Sequence, residues 1–205
     1  MTVYASATYA RQEIISAVAN VLREERTTIT NIESAVDKAG IDRNEVRARF
    51  GSMHGLILEM VSELSDALIE PLEYNGEDRQ VHDVLIEFAN RLADTYSASH
   101  LTALYRIALT EAARHSGIGR GFFERGPGKL TVCLAQYLES SARRSNQLRI
   151  DNPKRAAENF LSLLRDNLEL FDALNGTRTS SAKDRSDAVT EAIELFWHGI
   201  VTEGQ

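Results

Sequence analysis

Twice between Thr30 and Leu56, in the stretch TNIESAVDKAGIDRNEVRARFGSMHGL, a capping signal runs into an apolar helical stripe. Thr30 and Glu33 form T-x-x-E beside Ile32, Ala35 and Val36, and Asp42 and Glu45 form D-x-x-E beside Val46 and Phe50. In such a box a side-chain oxygen accepts from an orphan backbone N–H of the first turn, while the acid three residues on reaches back. Gly40 stands between the two segments, where a residue able to take positive φ lets the chain reverse. Ser52 then precedes Leu56, Ile57, Met60, Val61, Leu64 and Leu68, the face of a longer helix that the serine caps. Two short helices joined by a tight turn and braced by a third leave few arrangements open. One of them lays the second helix in a DNA major groove while the first crosses the backbone.

The rest of the chain is helical in pattern as well. Only three prolines occur in 205 residues, and strand-like alternation of Val, Ile and Thr is nearly absent. The chain is therefore expected to be all-α, with a three-helix helix-turn-helix unit ahead of a helical bundle, about nine helices in total. A first helix spans about Thr8 to Glu25, and the fourth runs from Ser52 to about Glu70. Pro71 and the run Glu73–Asp78 break the period there. This divides a unit at residues 1–70 from a larger one at 71–205. Beyond it, Val81, Val84, Leu85, Phe88, Leu92 and Tyr96 make one helix, and Leu101, Leu104, Tyr105, Ala108, Leu109 and Ala112 another. HSGIGRGFFERGP interrupts the period at His115–Pro127. It has neither a preceding strand nor the G-x-x-x-x-G-K-[ST] spacing of a phosphate-cradling loop. Asp151 and Pro153 open a helix through Ala156, Ala157, Phe160, Leu161, Leu164, Leu168 and Phe171, which Asn175-Gly176 ends. A final helix carries Val189, Ala192, Ile193, Phe196, Trp197 and Ile200.

Several chemistries find no support. The five histidines (His54, His82, His100, His115 and His198) are scattered without H-x-x-x-H spacing, so no metal site or other cofactor is expected. No G-x-S-x-G occurs, and Cys133, the single cysteine, sits in the apolar pattern of a helix as a small hydrophobe. An enzyme is not expected. With no long apolar run and no signal-peptide pattern, no membrane span is expected and a cytoplasmic location is. Charge complicates a nucleic-acid partner. The net charge is −7, and residues 1–70 hold seven basic groups against eleven acidic ones. DNA affinity rests on Lys and Arg neutralising phosphates. The local exception is Lys38–Arg49, with four basic residues and two acidic ones.

Ile14, Ile15, Val18, Ala19, Val21 and Leu22, then Thr30, Ile32, Ala35, Val36, Ala39, Gly40 and Ile41, then Phe50, Gly51, Ser52 and Leu56 together resemble the N-terminal domain of the TetR-type repressor family. Glu111, Arg114, Gly119, Arg120, Phe122, Glu124, Gly126 and Pro127, with Leu148 to Phe160, are similar to the C-terminal domain of AefR-like members. The contact residues depart from the family pattern. Asn44-Glu45 stands for its Gly-Thr pair, Arg47 for a phosphate-touching Tyr, Arg49 for a His, and Met53 for a phosphate-touching Lys.

The resemblance implies a DNA-binding regulator, most simply a repressor released by a small apolar or aromatic effector. Its DNA-binding residues would be Thr30, Arg43, Asn44, Glu45, Arg47, Arg49 and Ser52. The effector would lie among Phe88, Leu92, Tyr96, Tyr105, Leu109, Phe122, Phe123, Tyr137, Phe160 and Leu164, with Tyr96, Tyr105, Tyr137 and Arg106 as polar handles. A homodimer through the last two helices, with Phe196 and Trp197 on the shared face, would set two recognition helices ~34–36 Å apart on a palindromic operator. The alternative is a ligand-binding or interaction protein of the same fold with weakened or lost DNA binding.

Overall fold

In the computed structural model, residues 2–25, 29–73, 79–96, 99–114, 117–145, 148–165 and 182–201 are described. They form ten helices. These are α1 (Thr2–Glu24), α2 (Ile32–Lys38), α3 (Arg43–Phe50), α4 (Met53–Glu73), α5 (Val81–Tyr96), α6 (Ser99–Ala113), α7 (Ile118–Arg125), α8 (Pro127–Arg144), α9 (Pro153–Arg165) and α10 (Ala182–Ile200). The only extended pairing among the described residues is an isolated bridge between Leu148 and Val201. The remainder of the helix expected after Pro153, with Leu168, Phe171 and its Asn175-Gly176 stop, lies outside the described residues, as does most of the Glu73–Asp78 run.

The α2–α3 corner is built by local hydrogen bonding. Ala39 ends α2; the N–H of Gly40 donates to the Asp37 carbonyl and that of Ile41 to the Val36 carbonyl. This is the Schellman pattern, and it needs the left-handed φ of +70° that Gly40 adopts. The cap of α2 differs from the sequence expectation by one residue. Asn31 Oδ1, not the Thr30 hydroxyl, accepts from Ser34 N at 2.8 Å, so the Thr30–Glu33 box is not made. Asn outranks Thr at this position. At α3 the expected cap is present, with the Asp42 carboxylate accepting from Asn44 N at 2.8 Å. Glu45 does not complete that box; it turns to Arg49 instead.

Helix α4 runs on through Pro71 to Glu73, where the sequence led us to expect a break. A proline inside a helix removes the N–H that would bond the carbonyl four residues back. That carbonyl belongs to Ala67, and Arg91 of α5 donates to it at 3.1 Å. The same guanidinium pairs with Glu70 at 2.6 Å and Glu87 at 2.8 Å. Arg91 thus supplies the missing donor and ties α5 to the end of α4.

Two buried clusters result. One gathers residues of α4, α5, α8, α9 and α10 around Phe88 and Phe160. The other holds Val18, Leu22, Ile32, Val36, Val46, Leu56 and Ile57 from α1 to α4, and also Leu104, Ile107, Ile118 and Phe122 from α6 and α7. The helix-turn-helix is therefore seated on α6 and α7. Helix α4 contributes to both clusters.

Candidate nucleic-acid interface and effector bundle

Along α3 only Val46 is buried, and it anchors the helix. Arg43, Asn44, Glu45, Arg47 and Ala48 are exposed, and Arg49 is half-buried. Thr30 and Ser52 flank this surface, both exposed. Ser52 Oγ accepts from Gly55 N at 2.9 Å and caps α4, which leaves its hydroxyl proton free to donate outward. The cations of the surface are largely compensated. Arg43 forms a two-pronged pair with Asp37, its Nε donating at 2.8 Å. Arg49 lies 3.0 Å from Glu45, and Lys38 lies 2.5 Å from Glu25. The Arg43 guanidinium, by hydrogen bond and by charge, holds the Asp37 carboxyl below its ordinary value. Arg47 alone of these four basic residues has no ion pair among the described residues. With Glu25 and Asp37 folded against it, a surface that read as four cations to two anions becomes four to four.

Helix α3 is held to its brace by close approach. Its last residue, Phe50, passes so near α4 that a Cβ at Gly55 would fall inside contact distance of the Phe50 carbonyl oxygen. The Phe50 ring carries the Arg11 guanidinium of α1 at 5.0 Å. Arg11 in turn pairs at 2.9 Å with Glu59 of α4, which lies 4.0 Å from Arg125 at the end of α7. Neither Gly55 nor Glu59 was singled out from sequence. A glycine one turn into an apolar helix is the only signal that marked the first, and nothing local marked the second.

The residues expected to line an effector cavity are distributed over three places. Phe88, Leu92, Tyr137, Phe160 and Leu164 meet in the bundle core, where the Phe88 and Phe160 rings stack at 6.3 Å. Burial holds the Tyr137 phenol above its ordinary pKa. Phe122 lies in the other cluster, edge-on to Tyr105 at 5.1 Å, and Tyr105 packs against both. Leu109 and Phe123 do not join them; they are 59% and 60% exposed. Each immediately follows a buried residue, and neighbours on a helix point about 100° apart. The side chain of Tyr96 lies outside the described residues. Arg106 Nε is buried with no hydrogen-bond partner among the described residues. Among the described residues, no group of three or more His, Cys, Asp or Glu is placed to hold a metal ion.

The sequence profile of the AefR-like transcriptional repressor C-terminal domain matches residues 83–198, over half of the chain. The chain belongs to the TetR family of transcriptional regulators. Solved TetR-type structures share its fold over nearly the whole length. A putative TetR-family regulator from Mesorhizobium loti is 20% identical, with a TM-score of 0.77 over 96% of this chain and 98% of its own. The flavonoid-responsive regulator FrrA is 25% identical, with a TM-score of 0.66 over 95% and 98%. FadR of Thermus thermophilus, in complex with lauroyl-CoA, is 19% identical, with a TM-score of 0.64 over 95% and 97%. No curated protein sequence is significantly similar.

Against the TetR pattern, two features of this chain stand out. Met53, at the position of a phosphate-touching lysine, is turned into the core at 7% exposure, so this chain offers no such contact there. The second is the end of α10, where Phe196 is buried against Phe160 of α9 at 4.8 Å and the half-buried Trp197 packs on His82 of α5 at 4.8 Å. The exposed side of α10 carries Ala188, Glu191 and Leu195 beside Asn159, Ser162 and Leu163 of α9, around a shallow groove of about 630 Å³. No described helix is long and apolar enough to cross a membrane.

Proposed function

We propose that this TetR-family protein is a homodimeric, DNA-binding repressor acting in the cytoplasm. In this reading residues 1–70 bind the operator, and residues 71–205 take up a small apolar or aromatic effector and dimerise. The observation that carries it is the exposed outer face of α3, pinned by the Asp42 cap and the Gly40 turn. Asn44 and Arg47 are the base-reading candidates, since Asn matches adenine and Arg matches guanine in the major groove. Glu45 faces Arg49 rather than a base edge. Arg43, Arg49, Ser52 and Thr30 are the candidates for backbone contact. Dimerisation through the outer sides of α9 and α10, with Leu195 at 63% exposure, would place two copies of α3 about one DNA turn apart.

An apolar effector is supported by the phenylalanine-rich bundle core and by two proteins of the same fold, the flavonoid-responsive FrrA and Thermus FadR in its complex with lauroyl-CoA. The buried Arg106 Nε, without a hydrogen-bond partner among the described residues, favours an effector that also carries an acceptor group. An effector favouring one spacing of the two α3 helices would shift operator affinity by its differential binding to the two states.

The test is selection from random duplex DNA, followed by gel shift. An enriched palindrome is expected, and Arg47→Ala should weaken binding to it and reduce the log–log salt slope by about one if its contact is to phosphate. No enrichment at low salt from a folded dimer would favour the second reading, a ligand-binding protein that has lost DNA recognition. The buried Met53 and the compensated charge of α3 are what support that alternative.

A further inference from the structure

The ion pairs on α3 divide its polar groups into two classes. Asn44 and Arg47 are exposed and free of ion pairs among the described residues, and they are the groups suited to base edges. Arg43, Arg49 and Lys38, the charges suited to phosphate, are held by Asp37, Glu45 and Glu25. Sequence-independent DNA binding comes almost wholly from cations that neutralise phosphates and release counterions. A cation already facing a carboxylate releases little. If it moves to a phosphate, it leaves a bare carboxylate facing the same polyanion. Base reading through Asn44 and Arg47 breaks no ion pair.

We infer that Asp37 and Glu45 are specificity-determining residues: by holding Arg43 and Arg49 in internal pairs, they suppress affinity for DNA at large while leaving base reading intact. This rests on the proposal that α3 is the DNA-facing helix. Asp37 suits the role because it projects from α2, outside the base-reading positions, and grips Arg43 with both carboxylate oxygens. Glu45 lies one helical turn from Arg49, so its hold is available without any change in the fold. Both carboxylates are solvent-exposed, and the amide replacements keep their shape.

The experiment measures binding of Asp37→Asn, Glu45→Gln and the double variant to a random-sequence duplex by fluorescence anisotropy across a salt series. Circular dichroism confirms the helical fold of each. Each released arginine should tighten non-specific binding by about 1.4- to fivefold, the worth of an exposed ion pair. The salt slope should steepen by up to about one per arginine. In an Arg43→Ala background, Asp37→Asn should have no such effect. A gain that survives in that background would reflect bulk charge rather than release of Arg43, and would overturn the inference. So would unchanged affinity and slope in all three variants. The Arg47→Ala variant separates the two levels of the claim. If it weakens DNA binding while the carboxylate variants change nothing, α3 is the interface and the inference alone fails. If neither it nor the carboxylate variants alter binding, α3 is not the interface and both fail.

Discussion

Replacing Gly55 with alanine sets two effects of opposite sign against each other. Gly55 lies in the first turns of α4, and alanine in a helix interior is favoured over glycine by about 1 kcal/mol. Against this, the added Cβ would press on the Phe50 carbonyl oxygen, 3.0 Å from the carbonyl carbon and 3.5 Å from the Phe50 Cβ. An ordinary C···O approach is about 3.3–3.6 Å, and both the carbonyl and the α4 backbone are rigid. Relief requires the end of α3 to move away from α4 by about 1 Å or more. Overpacking of this kind costs about 1–3 kcal/mol, so after the propensity gain of about 1 kcal/mol the net change should be a loss of up to about 2 kcal/mol. For a chain of this size that corresponds to a fall of up to about 8 °C in Tm. Thermal and urea unfolding followed by far-UV circular dichroism measure it directly. With α3 as the proposed reading helix, operator affinity should fall further than stability alone dictates, because the displaced segment is its end. A rise in Tm would refute the reasoning, since it would mean that helix propensity outweighs contact and that α3 is not clamped at this point.

Three other tests address a helix cap, a proline's substitute donor and a buried thiol. Asn31→Ala should cost about 1 kcal/mol through loss of the α2 cap, whereas Thr30→Ala should stay within about 0.5 kcal/mol; equal losses in urea titration would restore the Thr30 box. Arg91→Ala should cost about 1 kcal/mol, discounted because its ion pairs are solvent-screened, and should speed amide exchange in the last turn of α4; unchanged exchange there would remove Arg91 as the proline's substitute donor. Burial pushes the Cys133 thiol up, so its thiolate fraction at neutral pH is depleted and the midpoint of its alkylation rate against pH should lie above that of a free thiol; a midpoint at or below the free-thiol value would contradict that burial.

Features set by near neighbours were legible in the sequence. The Asp42 cap, the Gly40 reversal and the helical pattern depend on residues within one turn of each other. Misplacements arose where two adjacent residues competed for one role. Asn31 displaced Thr30 as a cap, and of Phe122 and Phe123, both expected to face inward, only Phe122 is buried. Periodicity also named a face without naming its partner: Phe196 and Trp197 read as an intersubunit surface, and within the chain Phe196 packs on Phe160 of α9 and Trp197 on His82 of α5. Pro71 shows the remaining limit. Its helix-breaking cost is local, but the donor that offsets it sits on the next helix. Of the α3 site, the exposed residues were legible, but their neutralisation by Glu25 and Asp37 follows only from folding.

The second cluster limits how the proposed reading head could be moved. Leu104, Ile107, Ile118 and Phe122 are buried with the helix-turn-helix core rather than with the bundle. A fragment cut after α4 would carry a socket shaped for α6 and α7 with nothing to fill it. Grafted onto a relative's bundle, the same head would meet foreign side chains in that socket. A transplant of DNA specificity would therefore travel as α1–α4 together with the inward faces of α6 and α7. Replacing the outward side chains of α3 alone would leave the socket as it is, and is the smaller change.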